Sequence, residues 1–175
     1  MQPIPKMQTK PFDQFEFHDA IRKIAFDVRA SKVEYDYIVG LSRGGLIPGV
    51  VLSHQLAVPF RAINWSKDYK DFNTHELLDI VERGNKRILI VDDMVDSGQL
   101  LNDLFKSFDA YTERGYADLN QFDVAVLINN TDVDVIYSNK TGEIRTKYFG
   151  KEISKLADPS WIVYWWERQL KNPND

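Results

Sequence analysis

A chain of 175 residues, 43% hydrophobic and 27% charged, is long enough for one domain with a sizeable core and short for two. Its net charge of −4 argues against binding nucleic acid through bulk positive charge, and the absence of cysteine excludes disulfides, thiolate nucleophiles and cysteine-bound zinc. No apolar stretch approaches the roughly 18 residues of a membrane helix, and no signal peptide is recognisable. We therefore expect a cytoplasmic protein that binds neither membrane nor nucleic acid.

The first third of the chain predicts two helices and two strands in alternation. Asp13, with an acid three residues later, has the spacing of a capping box, and apolar residues then recur at helical intervals, which predicts an amphipathic helix over 14–30. A short buried strand is expected over 37–41. An apolar helix over 46–56 and a second strand over 60–65 follow.

The middle of the chain opens with a polar stretch. Residues 66–75 have no pattern and are interpreted as a long mobile loop, and residues 76–83 are ambiguous between helix and strand. Residues 87–91 are apolar at every central position, which is typical of a parallel strand that is covered on both faces.

The remaining elements complete an alternating pattern. A helical stripe occupies residues 101–108, and a strand is predicted over 123–128. Two β segments, 133–137 and 144–149, flank a turn at 139–142 and are expected to form a hairpin. Alternation of strands and helices predicts an α/β fold with a mainly parallel, twisted sheet flanked by helices.

The stretch "ILIVDDMVDSGQLL" carries the strongest chemical signal. Four aliphatic residues lead directly into Asp92 and Asp93, and the small-residue turn that follows opens a predicted helix. Backbone N–H groups at such a helix start form an anion site that suits a terminal phosphate. Carboxylates beside it can accept hydrogen bonds from vicinal hydroxyls such as those of ribose, and can hold Mg²⁺ directly or through water. In this context that interpretation is favoured over one in which Asp93 caps the turn and Asp92 is merely solvated.

This stretch resembles the signature of type I phosphoribosyltransferases that binds 5-phosphoribosyl 1-pyrophosphate (PRPP). "VGLSRGGLIPG", residues 39–49, is similar to the pyrophosphate loop of the bacterial xanthine-guanine and hypoxanthine enzymes, and "WIVYWWE", residues 161–167, resembles their C-terminal W-I-x-x-P-W-[DE] segment. The resemblance implies the type I phosphoribosyltransferase fold in a single domain over 1–175. Its core would span about 14–150 and a small C-terminal hood about 151–170.

The resemblance also implies a role for each matching position. The ribose hydroxyls and Mg²⁺ would be bound by Asp92 and Asp93, and Asp96 would be the general base near purine N7, with the 66–75 loop closing over the reaction. The other implied contacts are the 5′-phosphate with Asp96, Ser97, Gly98, Gln99 and Leu100, the pyrophosphate with Ser42, Arg43 and Gly44, and the base with Trp161, Ile162 and Asn129.

The sequence departs from the family pattern in three places. Leu100 stands where a threonine hydroxyl commonly binds the phosphate, and Trp165 replaces the proline of the C-terminal segment. Asn129 and Asn130 stand where these enzymes usually carry the lysine that contacts the purine O6. An asparagine amide can still donate to a carbonyl oxygen, but it brings no charge.

The leading hypothesis is Mg²⁺-dependent transfer of the 5-phosphoribosyl group from PRPP to a 6-oxopurine, with a homodimer or homotetramer implied by the resemblance. Two alternatives stay open: a phosphoribosyltransferase for another base, motivated by Asn129, and a PRPP- or nucleotide-binding regulator without turnover, motivated by Leu100. Neither G-x-G-x-x-G nor G-x-x-x-x-G-K-[ST] occurs, which disfavours dinucleotide-binding and P-loop proteins.

Overall fold

The computed structural model describes residues 8–65 and 86–167. The strands in this part of the chain are β1 (Thr9–Phe12), β2 (Tyr37–Leu41), β3 (Phe60–Ile63), β4 (Ile88–Val95), β5 (Phe122–Asn130), β6 (Tyr137–Asn139), β7 (Gly142–Ile144), β8 (Thr146–Ile153) and β9 (Trp161–Tyr164). The helices are α1 (Gln14–Ser31), α2 (Leu46–Leu56), α3 (Gln99–Lys106) and α4 (Asp109–Glu113), with short 3-10 helices at Leu119–Gln121 and Trp165–Glu167.

The central sheet has five parallel strands in the order β3-β2-β4-β5-β8. From β2 the chain moves outward to β3, and then returns to the other side of β2 to build β4, β5 and β8. The direction of winding therefore reverses between β2 and β4. In open α/β sheets, the crevice beyond the carboxyl ends of two such strands is where ligands bind.

Strand β4 is covered on both faces, as its uninterrupted apolar run predicts. Ile88 and Ile90 belong to the hydrophobic cluster that includes α3, whereas Leu89 and Val91 belong to the cluster that includes α1. Each of these four side chains is at most 1% exposed. Full burial of an aliphatic side chain contributes roughly 1.5–3 kcal/mol, so β4 anchors both halves of the core.

Helix α1 begins where the sequence predicts. The side chain of Asp13 accepts a hydrogen bond from the Glu16 amide at 2.9 Å, and Glu16 accepts one in return from the Asp13 amide at 3.2 Å. These bonds satisfy two N–H groups that the helix itself cannot pair. The predicted helix over 46–56 is likewise confirmed as α2. The predicted loop over 66–75 and the ambiguous segment 76–83 lie outside the described residues.

The predicted hairpin is only partly correct. Strands β6 and β7 do pair antiparallel around the 139–142 turn, but residues 146–153 leave the hairpin and form β8, the edge strand of the main sheet, parallel to β5. Tyr148 is 4% exposed and packs in the cluster with α1. Burial of Tyr148 against α1 favours the position of this segment at the sheet edge.

A second, two-stranded sheet joins the two ends of the described chain. Strand β1 pairs in parallel with β9, a pairing that the sequence did not predict. Phe12 contacts Tyr164 edge-to-face at 5.4 Å, and Trp166 stacks on Tyr164 with centroids 4.7 Å apart. Both Trp165 and Trp166 also contact Phe17 of α1. Residues 154–167, called the hood below, are thus packed onto the first helix.

No described helix is both long and apolar enough to span a membrane.

Candidate active site

A cavity of about 450 Å³ lies at the strand reversal between β2 and β4. Three segments of the chain line it. They are residues 42–44 after β2, residues 92–101 from the end of β4 into α3, and the hood side chains Lys155, Trp161, Ile162, Tyr164 and Glu167. Except for Asn129, every residue predicted to bind a ligand is among the lining residues.

The two adjacent acids line the cavity without a cationic partner among the described residues. Asp92 is only 5% exposed, and its Oδ1 accepts a hydrogen bond of 2.9 Å from the Asp93 amide. Burial raises the pKa of Asp92 well above its usual range, and the charge of Asp93 raises it further. Burial, together with nearby Glu167, raises the pKa of Asp93 to about 6. The ionised pair is therefore costly by itself, and a bound cation would relieve that cost.

The loop after β2 lies directly against Asp93. A Cβ atom on Gly44 would lie between 2.3 and 2.5 Å from the carboxylate atoms of Asp93, so only glycine fits. The Ser42 hydroxyl donates to Asn64 at 2.8 Å, and the Ser42–Arg43 peptide bond is cis. Arg43 is exposed at the cavity and forms no ion pair with a described residue. Arg43 and the acidic pair line the same cavity. The guanidinium can bind an anion, and the carboxylates can bind a divalent cation carried by that anion.

The turn after β4 presents backbone donors to the cavity. Gly98 has φ of 73°, in the left-handed region that favours glycine, and α3 begins at Gln99 with no side-chain cap. The Gln99 amide reaches the Ser97 hydroxyl only at 3.4 Å. The Gln99 side chain donates to Asp103 at 2.6 Å, one turn along the helix. The first amides of α3, including that of Leu100, therefore suit an anion such as a terminal phosphate.

Two neighbouring asparagines at the end of β5 have different surroundings. Asn129 is 8% exposed, does not line the cavity, and has no partner for its Oδ1 among the described residues. Asn130 donates from Nδ2 to the Asp96 carbonyl at 2.7 Å, and its Oδ1 accepts from the Lys155 amide at 3.2 Å. The placement of Asn129 does not support the predicted contact with the base. Asn130 instead connects the turn after β4, residues 96–98 and called the phosphate turn below, to the hood.

The hood supplies the aromatic wall of the cavity. Trp161 is 52% exposed, so it is not a core residue, and Ile162 beside it is half-buried. The Tyr164 hydroxyl donates to the Asp93 carbonyl at 3.2 Å, and Glu167 accepts from the Tyr164 amide at 3.1 Å. Tyr164 and Glu167 were not predicted as site residues, although both fall in the "WIVYWWE" segment. Lys155 lies in no recognisable motif.

The donor set at the acidic pair suits Mg²⁺. The described residues contain no group of three or more histidine, cysteine or acidic side chains that could enclose a metal. A cation held here would therefore be bound by one or two carboxylates and complete its shell with water and ligand phosphate oxygens. That is the coordination Mg²⁺ prefers in phosphate-binding sites.

Residues 12–131 match the phosphoribosyl transferase domain. The chain is 24% identical over 143 residues to a xanthine-guanine phosphoribosyltransferase from Nitratidesulfovibrio vulgaris, covering 80% of this chain and 74% of that protein. Its fold is similar to that of a Helicobacter pylori xanthine-guanine-hypoxanthine phosphoribosyltransferase, with a TM-score of 0.61, 19% identity and coverage of 96% and 98% of the two chains.

The fold is also similar to that of a hypothetical protein from Neisseria gonorrhoeae solved with bound ppGpp. That similarity has a TM-score of 0.68 and 20% identity, and covers 94% of this chain and 92% of the other. The family match spans more than half of the chain, and both loops that form the floor of the cavity lie within it. The chain belongs to the phosphoribosyltransferase domain family.

Proposed function

We propose that this protein transfers the 5-phosphoribosyl group of PRPP to a 6-oxopurine, namely guanine, hypoxanthine or xanthine, in a Mg²⁺-dependent reaction. The products are the nucleoside 5′-monophosphate and pyrophosphate. One observation supports this above all: a buried acidic pair, an uncapped helix start and a half-exposed tryptophan line a single cavity. Similarity to the Nitratidesulfovibrio vulgaris enzyme supports the same substrate class.

The acidic pair would act on the sugar. As the bond from C1 of the ribose to the pyrophosphate oxygen breaks and the bond from C1 to the purine nitrogen forms, positive charge develops on the ribose ring. Asp92 and Asp93, fixed at the end of β4, would bind the ribose hydroxyls and stabilise that charge. Mg²⁺ held at the pair would neutralise negative charge on the departing pyrophosphate.

The two loops would hold the two anionic ends of PRPP. The amides of Ser97 to Leu100 would bind the 5′-phosphate at the start of α3, and Arg43 with the backbone around Gly44 would bind pyrophosphate. Leu100 contributes only its amide, so one hydroxyl contact to the phosphate is missing. A charge-assisted hydrogen bond of that kind contributes about 1.5–3 kcal/mol, and PRPP binding is expected to be weaker accordingly.

The base would enter between the hood and the phosphate turn. Trp161 would stack on the purine, and backbone groups of Ile162 would contact its edge. Asp96 is exposed at the cavity, and its carbonyl is held by Asn130. From there its carboxylate would accept the proton from purine N7, which makes the attacking nitrogen a better nucleophile.

Incubation with PRPP, Mg²⁺ and each purine base in turn tests this proposal, with the nucleoside monophosphate measured directly. Product is expected from at least one of guanine, hypoxanthine and xanthine, and none without Mg²⁺. Asp96→Asn should lower kcat by about 10²–10⁴-fold. Absence of product with all three bases would reject the proposal, and tight PRPP binding without turnover of any base would favour a regulator instead.

A further inference from the structure

The described residues that line the cavity include two cationic side chains, and the sheet order separates them. Arg43 follows β2, which lies next to β4 on one side. Lys155 follows β8, which lies two strands from β4 on the opposite side. With neighbouring strands about 4.8 Å apart, Arg43 and Lys155 flank the acidic pair from opposite ends of the cavity. If the loop after β2 takes pyrophosphate, Lys155 stands at the end left for the base.

Lys155 is held in place by two described contacts. Its Nζ donates to the Ser160 carbonyl at 2.6 Å, immediately before Trp161. Its amide donates to Asn130, whose Nδ2 in turn donates to the Asp96 carbonyl. The ammonium is therefore fixed to the hood, and the Lys155 backbone is fixed to the phosphate turn.

The ammonium keeps capacity for a ligand. A lysine ammonium has three N–H donors, and the Ser160 carbonyl accepts one of them. Lys155 is half-buried and forms no ion pair with a described carboxylate. Because Lys155 lines the cavity, an acceptor oxygen bound there could satisfy the remaining donors, whereas an amino group would bring a second donor and no acceptor.

We infer that Lys155 determines specificity for bases with an exocyclic oxygen, by donating a hydrogen bond to that oxygen while the purine stacks on Trp161. This inference rests on the proposed function and narrows it to one residue. Asn129, the position expected to contact the base, does not line the cavity, whereas Lys155 does. An oxopurine would be accepted here and 6-aminopurine disfavoured, because a site built to donate rejects a ligand that lacks the acceptor.

A purely structural role predicts a different result. If Lys155 only fixed the Ser160 carbonyl, its loss would loosen the hood and weaken all purine nucleotides together. If it donates to the base, its loss weakens oxopurine nucleotides alone. IMP and AMP form a matched pair for this purpose because they differ in the group at C6, a carbonyl in one and an amine in the other.

The experiment compares Lys155→Met with Lys151→Met. Lys151 lies on β8, four residues before Lys155, but its Nζ pairs with Glu16 at 2.8 Å, and it does not line the cavity. Calorimetry of each protein with IMP, GMP and AMP is the primary measurement. Loss of one charged hydrogen bond should weaken IMP and GMP about 10- to 100-fold in Lys155→Met, leave AMP unchanged or tighter, and leave Lys151→Met like the parent.

Three outcomes would overturn the inference: equal weakening of IMP and AMP, no change in either, or a parent protein that prefers AMP. The kcat/KM for hypoxanthine should fall with the IMP affinity. If the parent protein turns over no 6-oxopurine, the proposed function fails. If it does turn them over and Lys155→Met keeps the parental preference, only the role of Lys155 fails. Circular dichroism of both variants verifies that they are folded.

Discussion

The acids at the two ends of the central sheet are in opposite circumstances. At the amino end, Asp123 accepts hydrogen bonds from Arg87 at 2.9 Å, from Lys147 at 2.8 Å and from the Tyr35 hydroxyl. At the carboxyl end, Asp92 and Asp93 have no described cationic partner, and burial raises the pKa of both carboxyl groups. The charge of Asp123 is balanced by cations of the same chain, whereas the charges of Asp92 and Asp93 would be balanced by a bound ligand. This contrast separates a structural acid, Asp123, from the proposed functional pair, Asp92 and Asp93, more clearly than burial does.

The largest expected effect comes from neutralising the functional pair. Asp92→Asn with Asp93→Asn removes the charge that stabilises the ribose cation, so kcat/KM for PRPP should fall by at least about 10³-fold. The free energy of unfolding should not decrease, because the buried negative charges are gone. Steady-state kinetics and urea denaturation measure the two quantities. Activity within tenfold of the parent would contradict the assignment of the pair.

Gly44→Ala should displace the Asp93 carboxylate without changing any charge. The added methyl group would overlap the Asp93 carboxylate, and displacement of a catalytic group by about 1 Å can cost 10²-fold. We expect KM for PRPP and the inhibition constant of pyrophosphate to rise about 10- to 100-fold. Inhibition by inorganic phosphate, which reports the start of α3, is the control and should change little. Unaltered pyrophosphate inhibition would show that the loop tolerates the side chain.

Neutralising Asp123 should lower stability and leave activity nearly unchanged, the reverse of what is expected for Asp92 and Asp93. Asp123→Asn leaves Arg87 and Lys147 with a weaker acceptor, and both cations are partly exposed, so the loss is discounted to about 1–2 kcal/mol of unfolding free energy. The kcat/KM should stay within about twofold, since a substitution away from the site changes no transition-state contact. Denaturation and kinetics on the same preparation test both statements. A large loss of activity with unchanged stability would contradict the assignment of Asp123 as a structural acid.

A change of pH should separate stability from activity. Asp93 has its pKa raised to about 6 in the folded protein from its ordinary value of 3.8, so the native state binds more protons than the unfolded state between these values. Without ligand, the unfolding free energy should therefore fall as pH rises through that window and level off above it. The ionised form binds Mg²⁺, so kcat/KM for PRPP should be about tenfold lower at pH 5 than at pH 7.

The variant Asp93→Asn provides the control for the pH experiment. It should flatten the dependence of stability on pH over the same window, and its unfolding free energy at pH 7 should be on the order of 1 kcal/mol higher than that of the parent. If the parent is instead more stable at pH 7 than at pH 5 in the absence of ligand, other titrating groups outweigh the acidic pair.

The parts of this structure with local signals could be predicted from the sequence. The capping box at Asp13 fixed the start of α1, and the apolar run before Asp92 identified β4 and the turn that follows it. Features that depend on distant contacts could not be predicted. The parallel pairing of β1 with β9 joins segments about 150 residues apart and leaves no local pattern, and β8 was misassigned because edge strands and hairpin strands share the same periodicity.

The candidate site shows the same division. Asp92, Asp93 and the turn after β4 line one cavity and could be proposed as site residues from the sequence because strand, acids and turn are contiguous in it. The base contact predicted for Asn129 stays a prediction, since this side chain does not line the cavity. Its neighbour Asn130 makes the bond to Asp96, and adjacent residues in a strand point to opposite faces. Lys155 was missed because its position follows from the packing of the hood, which no short motif encodes.

The pairing of β1 with β9 has a practical consequence for the preparation of variants of this protein. Residues 9–12 pair with the strand that carries Trp161, so a change in these residues acts on the hood side of the cavity. Substitution or deletion of those four residues should weaken binding of the nucleobase, whereas binding of the 5′-phosphate and the pyrophosphate should be retained.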